Sequence, residues 1–231
     1  INMNDYSIDL IQLEKVLKKN KDKKIKAVIV TDYAGHPSDW KKLYELKKKY
    51  KIKLINDNCH AMGASIDGDK GYALKYADFV SLSFHPVKNI TTGEGGAVLT
   101  NNINYTKKVQ LLRSHGLERN KKLSKNNGIW YYKMTALGFN YRLTDIQAAL
   151  GSSQIKRINK FIKKRNYIAN FYNKLFVDSK KFIIPKVKKN FKHAYHLYPL
   201  LINTKNIGIS KINIFKKFLK SKIRLQVHYI P

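Results

Sequence analysis

The chain has 231 residues, 43% of them hydrophobic and 12% aromatic, and these proportions exclude an intrinsically disordered protein. No apolar run approaches the roughly 18 residues that a membrane-spanning helix needs. The single cysteine, Cys59, excludes an internal disulfide framework and fits a reducing cytoplasm.

Strand and helix patterns alternate over the first hundred residues. Apolar residues at helical spacing over 8–20 predict a helix, and the run that follows predicts a buried strand ending at Asp32. An amphipathic helix is predicted over 39–51. Three more strands are predicted, at 52–57, 78–84 and 95–101. This alternation indicates an α/β fold with a largely parallel sheet.

The pattern becomes helical after residue 105. Thr144 and Gln147 stand at capping-box spacing and predict a helix start, and 157–176 predicts a long helix. The segment 193–202 alternates like a strand of a new unit, and 211–223 is again helical. We therefore expect a large domain over 1–165 and the start of a smaller α/β domain over 166–231.

Polar side chains follow two of the predicted strands. Asp57 ends one strand and His60 comes soon after, while Ser83 ends another and is followed by His85 and Lys88. Open α/β sheets bind ligands at the carboxyl ends of their strands, so these groups converge if the strands are neighbours. The grouping suits pyridoxal phosphate: a lysine forms the Schiff base, a carboxylate keeps the pyridine nitrogen protonated, and hydroxyl and backbone donors bind the phosphate.

A structural role explains the same residues equally well. Asp57 is then a cap of the next turn, and Lys88 a surface lysine on a glycine-rich loop. That loop, "TGEGGAV", precedes a strand instead of opening a helix and lacks the Gly-Lys-Ser/Thr of a nucleotide-binding loop. The spacing alone leaves both interpretations open.

Motifs along nearly the whole chain decide between the two interpretations. They are, in chain order, "INDNCHAMGA", "SFHPVKNITTGEGGAVLT", "LLRSHGL", "LGFNYRLTDIQAALG" and "VHYIP". Through these motifs the chain resembles the DegT-type sugar-nucleotide aminotransferases, which are pyridoxal-phosphate enzymes of fold type I, with a mostly parallel central sheet flanked by helices. Two of the motifs, "SFHPVKNITTGEGG" and "VHYIP", are most similar to the 4-aminotransferases of pseudaminic acid biosynthesis.

The resemblance implies a role for particular residues. Lys88 matches the catalytic lysine that binds the cofactor and moves the proton, and Asp57 matches the acid paired with the pyridine nitrogen. His60 matches the residue that lies against the cofactor ring or its hydroxyl, and Ser83 a phosphate-binding hydroxyl. Asn140 matches an asparagine that reaches the cofactor phosphate of the other subunit, which implies a homodimer.

The resemblance also implies the substrates. His228 and Tyr229 match positions that contact the sugar nucleotide. The implied reaction moves an amino group from glutamate to the C4 ketone of a UDP-linked 4-keto-6-deoxy-N-acetylhexosamine. A same-family aminotransferase that acts on a different nucleotide-ketosugar is the alternative.

The chain departs from the family pattern in two respects. Relatives have an N-terminal segment with a loop that binds the cofactor phosphate, and further C-terminal sequence. We therefore expect the chain to be an internal fragment that binds the cofactor weakly or not at all and is inactive by itself. Asn56 and Asn58 stand where acidic and small residues are commoner, and we expect them to be tolerated.

Other functions are less favoured. A net charge of +31 suits a nucleic-acid-binding module, but only six of the 46 basic residues are arginine, and the lysines form no single stripe. Dehydratases of the same fold replace the lysine with histidine, so Lys88 argues against that branch. His193 and His196 lack a partner for a metal site. A structural remnant that keeps a dimer surface but has lost its site is a further possibility.

Overall fold

A computed structural model of the protein describes residues 1–20, 22 and 24–227. The strands are β1 (Ala27–Thr31), β2 (Lys53–Asp57), β3 (Ser65–Ile66), β4 (Phe79–Ser83), β5 (Gly96–Leu99), β6 (Leu117–Glu118), β7 (Lys133–Met134), β8 (Phe182–Ile183), β9 (Phe191–Lys192) and β10 (Leu201–Ile202). The helices are α1 (Leu10–Lys19), α2 (Trp40–Tyr50), α3 (Tyr72–Tyr76), α4 (Ile103–Arg113), α5 (Lys121–Asn127), α6 (Asp145–Lys156), α7 (Ile158–Phe176), α8 (Thr204–Ile207) and α9 (Lys211–Lys220).

A four-stranded sheet with the order β1-β2-β4-β5 forms the centre of the fold. β1 pairs with β2, and β2 with β4, in parallel, whereas β5 runs antiparallel to β4. The mostly parallel α/β sheet predicted from the sequence is therefore confirmed. In this register Thr31 of β1 lies beside Asp57 of β2, which in turn lies beside Ser81 of β4.

The core lies between this sheet and the helices that precede and follow its strands. Trp40 and Leu43 of α2 are fully buried, and so is Leu54 of β2. Side-chain caps begin the first two helices: Asp9 accepts from two backbone amides of α1, and Asp39 from the amide of Lys42 in α2. Such caps satisfy backbone donors that the first turn of a helix leaves unpaired.

The elements after residue 105 differ in part from the prediction. The capping box of Thr144 and Gln147 is present and begins α6. The long helix predicted over 157–176 is present as α7, and a break at Arg157 separates it from α6. The domain boundary expected near residue 165 falls inside α7, and the division into two domains stays a prediction.

The strand predicted over 193–202 is wrong for most of its length. Only β10 at its end is a strand, and His193 to His196 are all buried instead of alternating. The amide of Ala194 donates to the carbonyl oxygen of Gly35 over 2.8 Å, and that of Leu197 to Ala34 over 3.1 Å. The segment therefore packs as a loop on the turn after β1, because its backbone bonds go to that turn instead of a strand partner.

Large apolar side chains are exposed between α5 and the end of α6. α6 has no buried residue, and Trp130 is 76% exposed. We call the following exposed side chains the 129–150 surface: Ile129, Trp130, Tyr132, Met134, Leu137, Phe139, Tyr141, Leu143, Ile146 and Leu150.

Within the part of the chain that the structure describes, no helix is long and apolar enough to cross a membrane.

Candidate active site

The carboxyl ends of β2 and β4 meet at one edge of the sheet. β2 ends at Asp57, and β4 continues two residues past Ser81, its partner in the register, to end at Ser83. The condition for convergence is therefore fulfilled, because the two strands are parallel neighbours. We call this edge, with the loops that follow β1, β2 and β4, the rim.

Two hydrogen bonds fix the Asp57 carboxylate, which is half-buried. Its Oδ1 accepts from the backbone amide of Cys59 over 3.2 Å, and its Oδ2 accepts from the Thr31 hydroxyl over 3.2 Å. One partner belongs to the turn after β2 and the other to the end of β1. The carboxylate is thus held from both sides at the rim.

The Cys59 thiol lies beside Asp57 in the turn after β2. Burial and the neighbouring Asp57 carboxylate raise the pKa of the Cys59 thiol to about 11, while Ser81 and the Lys88 ammonium oppose that rise. Opposite charges from Asp57 and Lys88 therefore act on the same sulfur. The two groups singled out in the sequence both lie within electrostatic range of Cys59.

A tight turn presents Lys88, which is half-buried. Its amide donates to the carbonyl oxygen of His85 over 3.0 Å, and the base of the turn is closed by Thr92, whose amide donates to Phe84 over 3.0 Å. Gly95 returns the chain to β5 with φ +153, where an added Cβ would lie 2.5 Å from the Thr92 hydroxyl. Only glycine fits this return without displacing the turn.

The neighbouring Asn89 ties this turn to the loop after β2. Its buried side-chain amide donates to the carbonyl oxygen of Met62 over 2.9 Å and to that of His60 over 3.4 Å. Sequence inspection gave Asn89 no role. The position of Lys88 relative to His60 therefore depends on a side chain whose partners no local pattern in the sequence predicts.

His60 is buried beneath the rim. Its Nδ1 accepts from the backbone amide of Ala34 over 3.2 Å, so in the neutral ring the proton is on Nε2. Its ring centroid lies 4.4 Å from that of His196. Gly35 permits this approach of the β1 loop, because a Cβ there would lie 2.9 Å from the His60 carbonyl oxygen.

The other residues predicted for the site are Ser83, Asn140, His228 and Tyr229. The Ser83 hydroxyl is half-buried at the end of β4 and accepts from the amide of His85 at 3.4 Å. Asn140 is exposed in a backbone bridge with Ser114 and belongs to the 129–150 segment. His228 and Tyr229 lie outside the described residues. The structure thus brings Asp57, His60, Ser83 and Lys88 to one rim.

Asp32 is a further buried acid next to the rim, and it follows the last residue of β1. Trp40 donates to it through Nε1 at 3.0 Å, and Tyr72 through its hydroxyl at 2.8 Å. Burial raises the pKa of Asp32, and the hydrogen bonds it accepts oppose that rise. The signal in the sequence was the position of this acid at the end of the first predicted strand.

No group of three or more His, Cys, Asp or Glu side chains within the described ranges is placed to hold a metal ion. His193 accepts at Nδ1 from the amide of Tyr195 over 2.8 Å and is buried. Its ring lies 5.5 Å from that of His36 in an edge-on contact. These histidines are packed side chains of the loop over the β1 turn.

The fold and the rim define an α/β protein of the aminotransferase class, in which a lysine and a carboxylate share the carboxyl edge of the sheet. More specifically, the chain belongs to the DegT/DnrJ/EryC1/StrS aminotransferase family, whose family model matches residues 1–231.

Relatives and solved structures agree with this assignment. The chain is 41% identical over 228 residues to a UDP-4-amino-4,6-dideoxy-N-acetyl-beta-L-altrosamine transaminase of Campylobacter jejuni, a match that covers 99% of the chain and 58% of that protein. It is similar in structure to Helicobacter pylori PseC, an aminotransferase involved in the biosynthesis of pseudoaminic acid, with a TM-score of 0.86, 34% identity, and coverage of 99% of this chain and 58% of that one.

A third likeness is to the PMP form of the putative sugar aminotransferase Spr1654 of Streptococcus pneumoniae, with a TM-score of 0.85 and 27% identity. That match covers 100% of this chain and 61% of the other. The chain thus spans about 58% of the length of the curated Campylobacter relative and 58% of the PseC chain.

Proposed function

We propose that the chain forms the cofactor-binding part of a pyridoxal-phosphate-dependent sugar-nucleotide aminotransferase. The observation that carries the proposal is that β2 and β4 are parallel neighbours, so that Asp57 and the turn that presents Lys88 both follow carboxyl ends of strands at one edge of the sheet. Pyridoxal phosphate uses such a pair: an amine reacts with its aldehyde carbon, and a carboxylate pairs with its pyridine nitrogen. The donor set of the rim therefore fits the cofactor.

When bound, the cofactor supplies an electron sink that stabilises negative charge on the carbon next to the reacting nitrogen. Lys88 would bond to it covalently and, once displaced by a substrate amine, would carry a proton to and from that carbon. Asp57, held by Thr31 and Cys59, would keep the ring nitrogen protonated. His60 would lie against the ring, and the Ser83 hydroxyl would contact the phosphate.

The proposed substrate is a UDP-linked 4-keto-6-deoxy-N-acetylhexosamine, with glutamate as the amino donor and pseudaminic acid biosynthesis as the pathway. The names of the Campylobacter and Helicobacter relatives support this class of sugar. His228 and Tyr229 are proposed to contact the sugar nucleotide. The single cysteine, present as a free thiol, supports a cytoplasmic location.

We also propose that the protein is a homodimer that buries the 129–150 surface. Asn140 stands exposed within this surface, as a residue that reaches a partner's cofactor phosphate must. Leu137→Asp should convert the dimer to a monomer in sedimentation experiments, because a charge replaces a side chain that is 86% exposed here. Ile11→Asp, at a 71% exposed position of α1, is the matched control and should leave the dimer intact.

The absorbance spectrum of the whole protein tests the cofactor assignment. With pyridoxal phosphate added, the wild-type protein should show the visible or near-visible band of a lysine-bound cofactor, and Lys88→Ala should lack it. A band that persists in Lys88→Ala would place the linkage at another lysine and refute the assignment. Titration with candidate nucleotide-ketosugars, after the amino donor has bleached the band, should restore it only for the correct substrate class.

The 231-residue chain by itself should show a weak band or none, because it spans only 58% of the length of the Campylobacter relative and of the PseC chain. A full-strength band from this chain alone would contradict that expectation.

A further inference from the structure

We propose that Asp32 is a positioning residue of the candidate active site, which fixes the direction of Asp57 by holding both residues that flank it. The inference rests on the proposed function, because it concerns the carboxylate assigned to the cofactor ring. Asp32 is the first residue of the loop after β1, and its carboxylate is not among the groups assigned to the cofactor.

Asp32 holds β2 through two asparagines. Its Oδ2 accepts from the side-chain amide of Asn56 over 3.2 Å and from that of Asn58 over 3.1 Å. Both asparagines are buried, with 0% and 5% of their surface exposed. The two asparagines thus share one acceptor, the Oδ2 of Asp32.

These hydrogen bonds also restrict Asp57, because side chains along a strand alternate between its two faces. Successive side chains of a strand point to opposite faces, so Asn56 and Asn58 share one face and Asp57 points to the other. Two bonds to a single oxygen prevent the end of β2 from rolling about its axis. The end of β1 contacts both faces of β2. The Thr31 hydroxyl donates to Asp57 on one face, and Asp32 accepts from Asn56 on the other.

The carboxylate of Asp32 is itself immobilised. Its Oδ1 accepts from the amide of Ser38 over 2.7 Å and from Trp40 Nε1 over 3.0 Å, and its Oδ2 also accepts from the Tyr72 hydroxyl. Every one of these groups donates, which suits an ionised carboxylate because it only accepts. Asparagine at this position has nearly the same shape. In either orientation, however, its NH2 group would replace an accepting oxygen and would lie against another hydrogen-bond donor.

Asp32→Asn is therefore the informative variant, and the Cys59 thiol is a reporter that needs no cofactor. Asp57 holds the pKa of this thiol high, so a displaced Asp57 should let it fall. The measurement is the alkylation rate of Cys59 against pH, followed by mass spectrometry of its peptide in the unloaded protein. Asp57→Asn defines the value reached when the carboxylate charge is absent.

We expect Asp32→Asn to move the thiol pKa from about 11 toward the Asp57→Asn value. In the loaded protein it should also raise the dissociation constant for pyridoxal phosphate about tenfold. Leu46→Ala, a core change on α2, is the control for general destabilisation and should shift neither quantity. If Asp32→Asn matches Leu46→Ala in both measurements, the inference is wrong.

Two more variants make the test independent of folding. Asn58→Ala removes one of the two tethers and leaves Asp32 with its other donors, so it should shift the thiol in the same direction by less. The double variant Asp32→Asn with Asn56→Asp exchanges the carboxylate and the amide of this hydrogen-bonded pair. It should therefore restore part of the wild-type pKa of the Cys59 thiol. If the wild-type protein does not bind the cofactor but the thiol shifts occur, the proposed function fails and the positioning role stands.

Discussion

The side chain of Asn89 donates to the carbonyl oxygen of Met62 over 2.9 Å, and so joins the turn that presents Lys88 to the loop that carries His60. The two segments follow different strands, β4 and β2. Their relative position is therefore set by this hydrogen bond as well as by the sheet.

Replacement of Asn89 by alanine should loosen that junction. Removing the side-chain amide leaves a buried carbonyl oxygen of the β2 loop unpaired, which costs about 1–3 kcal/mol in the free energy of unfolding. Thermal or urea unfolding measures the loss, and cofactor affinity should fall with it because Lys88 is displaced. Asn101→Ala removes a side-chain bond to Leu74 at an exposed position and should cost no more than about 0.5 kcal/mol. Equal losses in the two variants would contradict the role assigned to Asn89.

Asp57→Asn should separate cofactor binding from catalysis. The amide keeps the shape of the carboxylate but cannot hold the ring nitrogen in its charged form, so the Lys88-dependent absorbance band should persist. The rate of amino transfer should fall by about 10²–10³, as expected when one preorganised electrostatic partner is lost. Stopped-flow measurement of the reaction with glutamate reports the change. A wild-type rate would remove Asp57 from the proposed site.

The Cys59 thiol should respond in opposite directions to the two key residues. Lys88→Ala removes a positive charge that lowers its pKa, so the pKa should rise above about 11, whereas Asp57→Asn should lower it. At neutral pH the wild-type thiol should alkylate much more slowly than a free cysteine, because the thiolate is the reactive form. Shifts of the same sign, or no shift for one variant, would mean that Lys88 and Asp57 do not face a common space.

The buried histidines should make the fold sensitive to acid. Burial lowers the pKa of His36, and burial together with the nearby His36 lowers that of His193 well below its ordinary value. Both are neutral when folded, while in the unfolded chain they take up protons below about pH 6.5. Their contribution to stability is therefore complete above that pH and is lost as the pH falls from there toward the folded pKa values.

Urea unfolding between pH 7.5 and 5 measures this dependence. His36→Leu should flatten the slope in the region below about pH 6.5, because it removes one site that only the unfolded chain protonates. An exposed substitution, Lys19→Leu, provides the control and should leave the slope unchanged. An unaltered slope in His36→Leu would contradict the interpretation.

The sequence by itself determined the elements whose signals are local. Strand and helix periods predicted the α/β sheet, the spacing of Thr144 and Gln147 predicted the capping box, and the motifs around Lys88 and Asp57 pointed to the family. Each of these depends on residues close together in the chain, so a single sequence contains the pattern.

Tertiary structure alone decided which distant residues share a contact. The loop at 193–200 alternates like a strand, but its backbone bonds go to the turn after β1. The roles of Asn89 and Asp32 arise from hydrogen-bond partners 27 and 24 residues away. Hydrogen bonds between distant segments depend on how the whole sheet packs, so no local pattern in the sequence predicts them.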